Sequence, residues 1–193
     1  MERRAAIGQI AGWALALALA QAGRAGAEEE ALFDAEGYRR ARYRAPVGRA
    51  PAPARQIALA DALRLSPGRD ALFLDVLPAE GGWRDPASGR WQLAEPHETI
   101  PHALWFAETG RAPVAPLLWA ALAARVADVR RRHPQWPVVL FCRADCWMSW
   151  NAARRLALSG VAGVFWLAEG IEGWHAAGRA LQPAQPEAVP GVI

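Results

Sequence analysis

Val138-Val139-Leu140-Phe141-Cys142-Arg143-Ala144-Asp145-Cys146-Trp147-Met148-Ser149-Trp150-Asn151-Ala152-Ala153 is the stretch on which the reading of this chain turns. Val138 to Phe141 is an apolar run of strand length with no alternation, which suits a central parallel strand covered on both faces. Cys142 then stands at the strand's C-terminal end. Arg143 to Met148 reads as a loop, and Ser149 is placed to cap a helix that continues to Ser159, with Gly160 closing it. In parallel sheets, ligands gather outside the C-terminal ends of the strands. The sequence therefore puts a cysteine where chemistry is expected.

Strand and helix continue to alternate on both sides of this segment. Downstream, Val164 to Leu167 reads as another strand, and Gly170 leads into a short helix over Ile171–Ala177 closed by Gly178. Upstream, Pro116 opens the clearest helix, with Leu118, Leu122, Val126 and Val129 on one apolar stripe and Pro134 beyond its end. Ala71 to Val76 is a second unalternating apolar run, ended by Pro78 and carrying Asp75. Ala103–Phe106 reads as a short strand, and Ile57–Leu65 as a short strand and helix. Between them, residues 79–101 are rich in glycine and proline and read as a long irregular excursion. The pattern predicts an α/β fold, a central mostly parallel sheet flanked by helices.

The physics of the cysteine segment favours thiol chemistry. Loop amides and a helix N-terminus both stabilise a thiolate, and such amides can also hold an anionic persulfide. Cys142, directly after the strand, is expected to be the nucleophile and the more acidic thiol. Cys146 is expected to resolve a persulfide or close a disulfide with it. Arg143, Ala144, Asp145, Trp147, Met148 and Ser149 form the anion-stabilising loop, although Asp145 opposes a thiolate if it points inward. Two cysteines this close cannot staple distant parts of a fold, so their role is local.

With these residues in place, residues 55–180 resemble a rhodanese-like domain. The resemblance rests on the strand–Cys142–loop–helix unit and on Glu169-Gly170-Ile171-Glu172-Gly173-Trp174-His175-Ala176-Ala177-Gly178. It rests also on Asp75 after Leu72-Phe73-Leu74, and on Ile100-Pro101-His102-Ala103, where His102 replaces the usual glycine. The loop departs from the common sulfurtransferase pattern: Trp147 and Met148 stand where an anion-binding arginine is usual. Poor thiosulfate chemistry is expected, and the same absence argues against a cysteine phosphatase. Cys142-x-x-x-Cys146-Trp147-Met148-Ser149-Trp150-Asn151 is similar to a periplasmic rhodanese-like family. That family is associated with catabolism by pyrroloquinoline-quinone (PQQ)-dependent alcohol dehydrogenases and is named for a cysteine-pair-tryptophan (CXXCW) motif. The spacing here is one residue longer than that name. Gly37-Tyr38 and Tyr43-Arg44-Ala45-Pro46-Val47 extend the likeness. It implies a PQQ-dependent alcohol dehydrogenase system, or its c-type cytochrome, as partner. No Cys-x-x-Cys-His is present for covalent haem.

The ends and the composition set the frame. Met1-Glu2-Arg3-Arg4, an interrupted apolar stretch to Ala20 and Ala25-Gly26-Ala27 read as a signal peptide over 1–27, so a periplasmic mature protein starting at Glu28 is expected. Residues 28–54 read as an extended arm, 55–182 as the domain and 183–193 as a tail. No membrane span is expected after cleavage. The 22 basic residues are all arginine and the formal charge is +3. With no basic surface beyond Arg130–His133, nucleic-acid binding is not expected.

Ten tryptophans are many for this length. Trp83 and Trp91 in the excursion, Trp150 and Asn151 at the helix start, and Asp75 and His102 are candidate pocket or partner contacts. No cofactor and no metal site is expected. The metal alternative is a Cu(I) site from Cys142, Cys146, Met148 and His102. The alternative in function is a non-catalytic accessory protein of the same alcohol-oxidising system, with Cys142 and Cys146 as a structural disulfide.

Overall fold

A computed structural model describes residues 30–191. The signal-peptide expectation and its Ala27/Glu28 cleavage point lie outside the described residues. The chain divides into two compact units, Met1–Ala41 and Arg42–Ile193. In the described part of the first, a turn is closed by Asp34, whose Oδ1 accepts from the backbone N–H of Glu36 and of Tyr38 at 3.0 and 2.8 Å. The Arg39 guanidinium lies over the Phe33 ring.

The second unit is a mixed α/β structure built on a five-stranded parallel sheet with helices against it. In chain order its elements are β1 (Arg55–Gln56), α1 (Leu59–Ala62), β2 (Leu72–Asp75), β3 (Trp83–Arg84), β4 (Trp91–Gln92), β5 (His97–Thr99), β6 (Leu104–Trp105) and α2 (Pro116–Arg132). They continue as β7 (Val138–Phe141), α3 (Trp147–Leu158), β8 (Val164–Trp166), α4 (Gly170–Ala176) and β9 (Gln182–Ala184). The main sheet runs β1-β8-β7-β2-β6. The two unalternating runs, β2 and β7, are its centre, and every residue in both is buried. On one face Phe73, Val139 and Phe141 pack with Ala62 of α1 and with Ile171 and Trp174 of α4. Helix α2 buries the stripe read from the sequence: Leu118, Leu122, Val126 and Val129. No described helix is long and apolar enough to cross a membrane.

One register matters for the site. Asp75 pairs with Phe141, so the C-terminal ends of β2 and β7 lie side by side. Cys142 follows directly on one, and the segment toward Leu77 on the other.

The excursion over residues 79–101 is more ordered than its composition suggests. β3 and β4 form an antiparallel hairpin, and β5 pairs antiparallel with β9. The segment after β9 also returns to the domain. Glu187 N–H donates to Trp105 O at 2.7 Å, Val189 N–H to Gly89 O at 3.1 Å and Gly191 N–H to Pro86 O at 2.8 Å. These backbone bonds fasten the C-terminal stretch along the hairpin and β6.

The helix start differs from expectation. Ser149 is not the N-cap: α3 begins at Trp147, and Cys146 holds the extended cap conformation. The cap needs no side-chain oxygen because the Trp147 N–H donates to Tyr43 O at 2.9 Å. The Ser149 hydroxyl is buried inside the first turn, where it accepts from Trp166 Nε1 at 3.0 Å.

Candidate active site

The two cysteines are free thiols that approach to 2.9 Å. Cys142 is fully buried and Cys146 is 3% exposed. Cys142 Sγ lies 3.0 Å from Ser149 Oγ, so the hydroxyl held by Trp166 also fixes the deeper thiol. The Cys142 carbonyl accepts from Ile171 N–H at 2.9 Å. Gly170 makes that approach possible. Its φ is +57°, and a Cβ there would sit 2.4 Å from Cys142 O.

The acidity order is the reverse of that expected from position. Burial, then the hydrogen bond and charge of Cys146, push the Cys142 thiol well above its usual value. The hydrogen bond from Cys142 lowers Cys146 to about 7, against the opposing effect of burial. The backbone N–H groups of Met148 and Arg143 and the positive charge of Arg44 act in the same direction. The physical reason is access. A residue ending a central strand is covered on all sides, and a buried charge is penalised. The residue four positions later reaches both the helix N-terminus and open space.

Not every loop amide serves the thiolate. The Ala144 N–H donates to Glu172 Oε2 at 2.9 Å, and the Trp147 N–H is taken by Tyr43. Those of Arg143 and Met148 face Cys146. Asp145 has φ +50° and is exposed, so its carboxylate points away from the sulfurs.

Residues 43–49, within the segment read as an extended arm, take part in the site. Arg44 forms an antiparallel bridge with Cys146, and Ala45 N–H donates to Asp145 O at 2.9 Å. Tyr43 Oη accepts from Ala112 N–H at 3.0 Å. Farther along, the Arg49 guanidinium lies 5.4 Å from the Trp147 ring centre and 5.2 Å from that of Trp150. Trp150 Nε1 donates to Arg49 O at 2.8 Å. Trp150 therefore straps residues 43–49 to α3. Asn151 is buried and donates from Nδ2 to Gly110 O at 3.0 Å. At Gly110 a Cβ would lie 2.4 Å from Met148 O, so only glycine lets this loop close on α3.

Cys146 opens on a cavity of about 400 Å³. Its polar lining includes Arg44, Arg111 and Arg143, with Glu80, Glu95 and His97; Trp105 and Met148 are among its apolar walls. Three arginines from separate segments therefore line the cavity, with Arg44 paired to Glu172 and Arg111 to Glu108. Cys142 does not reach the cavity.

The other sequence candidates are dispersed. Asp75 is fully buried and reaches the cavity only through His97, whose Nε2 lies 2.7 Å from Asp75 Oδ2. His102 is exposed and turns away in a left-handed conformation, φ +64°, which explains why glycine is the easier residue there. Trp83 is 53% exposed on β3, and Trp91 packs partly buried with Ala79, Trp105 and Ala107. The copper alternative loses its histidine. Among the described residues, no group of three or more His, Cys, Asp or Glu is arranged to hold a metal ion.

Sequence reasoning missed His97, Arg44 and Arg111 as site residues. No local signal marked His97, which stands 22 residues after Asp75 with the β3–β4 hairpin between them. The fold and site define a parallel α/β protein with a dithiol at a central strand end, opening through one thiol to a charged cavity. No family model, characterised protein or solved structure matches the chain.

Proposed function

We propose that this protein is a rhodanese-like carrier of sulfane sulfur in which Cys146 is the attacking thiol and Cys142 its buried hydrogen-bond donor. One observation carries the reading: Cys146 caps α3 on the wall of the cavity, with Cys142 behind it. With its thiol lowered to about 7, Cys146 holds a substantial share of the thiolate it needs at neutral pH. The substrate class is a low-molecular-weight persulfide. The Cys146 thiolate attacks the outer sulfur of R–S–SH; a new S–S bond forms, the donor's S–S bond breaks, and the donor thiolate leaves with the electron pair. An acceptor thiolate then attacks the outer sulfur of the Cys146 persulfide and regenerates Cys146. No electrons enter or leave.

The rhodanese-like assignment is supported by the parallel sheet with its cysteine loop at the strand end, and by the Asp75, Ile100–Ala103 and Glu169–Gly178 segments. Export to the periplasm, and work beside a PQQ-dependent alcohol dehydrogenase or its c-type cytochrome, are proposed on the N-terminal sequence and the likeness of the cysteine–tryptophan segment. A second reading, a non-catalytic accessory protein of that system, is favoured by the exposed Trp83.

Intact-mass analysis separates the two. After exposure to cysteine persulfide, the wild type and Cys142→Ser should gain one sulfur, lost again on adding a thiol, and Cys146→Ser should gain none. An unchanged mass in the wild type would favour the accessory reading. Sulfur carried on Cys142 in the Cys146→Ser variant would overturn the assignment of the attacking thiol.

A further inference from the structure

We infer that His97, oriented by Asp75, is a catalytic acid–base residue that carries the proton of the sulfur-transfer reaction in the cavity shared with Cys146. The inference rests on the sulfur-carrier reading above. Its geometric basis is a histidine with one nitrogen committed to Asp75 and its side chain on the wall of a ligand-sized space. Asp75 is wholly buried at the end of β2, and its carboxylate accepts from three donors. Leu77 N–H reaches Oδ1 at 2.9 Å; Thr99 Oγ1 and His97 Nε2 both reach Oδ2 at 2.7 Å. A carboxylate that accepts from the threonine hydroxyl also accepts from the imidazole, so Nε2 carries the proton facing Asp75. Nδ1 has no hydrogen-bond partner among the described residues.

The ring is held from a second direction. It lies against Trp105 with centres 4.2 Å apart, and Trp105 Nε1 is itself fixed to Leu77 O at 2.7 Å. β5, which carries His97, is anchored by its pairing with β9. His97 therefore keeps one orientation, with its side chain 10% exposed, on the wall of the cavity that Cys146 also lines. The other charged groups on that cavity are Glu80, Glu95, Arg44, Arg111 and Arg143, and Tyr43 completes its titratable set. No other histidine lines it.

The reaction supplies the need for such a group. When Cys146 takes the outer sulfur of R–S–SH, the departing R–S⁻ needs a proton, which protonated His97 gives from Nδ1. In the second half, neutral His97 takes the proton of the acceptor R′–SH, and R′–S⁻ removes the sulfur from Cys146. His97 ends as it began, and the sum is R–SSH plus R′–SH giving R–SH plus R′–SSH. The cavity thus brings nucleophile and proton carrier to opposite roles on one small substrate.

The test uses the full chain and cysteine persulfide as donor, with loading of Cys146 followed by rapid quench and intact mass from pH 5.5 to 9. In the wild type, loading should rise as Cys146 ionises and fall again at higher pH. His97→Gln, which keeps an amide N–H for Asp75, should load about 100-fold more slowly and lose the falling limb. Its Cys146 should still be alkylated by iodoacetamide with the wild-type pH midpoint, because alkylation needs no proton from His97. Loading of His97→Gln at the wild-type rate, or slowed with the falling limb intact, overturns the role of His97 alone. A wild type that takes up no sulfur overturns the carrier reading itself. Should His97→Gln not fold, the wild-type profile decides: loading that rises to a plateau without a falling limb overturns the inference.

Discussion

Removing the Cys142 thiol should move the ionisation of Cys146, and the size of the move follows from the contact. The hydrogen bond from Cys142 is the largest single cause holding Cys146 at about 7. A hydrogen bond to a charged acceptor is worth about 1.5–3 kcal/mol, and one pKa unit corresponds to about 1.4 kcal/mol. Cys142→Ala should therefore raise the Cys146 midpoint by about one to two units. The rate at pH 7 is a poor readout. The thiolate fraction drops from about a half to about a tenth for a one-unit shift, but the more basic thiolate is more nucleophilic, with a Brønsted slope of about 0.4–0.5, so the net loss is only about twofold. The assay is iodoacetamide alkylation followed by mass across pH 5.5–10, reading the midpoint. Cys142→Ser keeps an O–H donor and should stay within about half a unit of the wild type. Were Cys142→Ala to titrate at or below the wild-type midpoint, or alanine and serine to shift alike, the hydrogen bond would not be the cause.

Four further outcomes are expected. Gly170→Ala places a side chain in the left-handed region and a methyl 2.4 Å from Cys142 O; urea unfolding should show about 3 kcal/mol less stability, and an unchanged midpoint would mean that the loop yields freely. Arg49→Ala removes the cation held over Trp147 and Trp150 and should cost about 1–2 kcal/mol by the same measurement. Trp166→Phe strips Ser149 Oγ of its indole donor and should cost about 1 kcal/mol; a more stable variant would show that bond to be dispensable. Thiosulfate:cyanide turnover should be poor, because Trp147 and Met148, buried hydrophobics at the start of α3, offer an anion no charge there; rates like those of an ordinary rhodanese would refute this.

What the sequence made legible was whatever repeats locally. Val138–Phe141 and Leu72–Asp75 declare themselves by unbroken apolar character, and α2 by its four-residue stripe. Pairings between distant short segments leave no such trace. His97–Thr99 against Gln182–Ala184 joins a proline-flanked piece to one with Pro183 inside it, and neither alternates long enough to read as a strand. The start of α3 was misread for a related reason: capping preferences pick out Ser149, yet a carbonyl from Tyr43 satisfies the helix end instead. The order of the two thiols was hidden because burial at the end of β7 outweighs nearness to loop amides. Arg44, Arg111 and His97 share a cavity without sharing any spacing.

The strap formed by residues 43–49 ties the chemistry of this chain to the completion of its folding. Trp150 and Arg49 are 101 positions apart, and Arg44 reaches Cys146 across a similar span. Closing so long a loop is entropically unfavourable until the sheet between them exists. In an incompletely folded chain both cysteines are ordinary thiols, only a few per cent ionised at neutral pH at an unperturbed value of about 8.5. Arg44 adds to the lowering of Cys146 behind the larger effect of nearby Cys142, so the thiol reaches its full acidity only when this distant neighbour arrives. The ionisation of Cys146 therefore reports in part on whether the strap has closed.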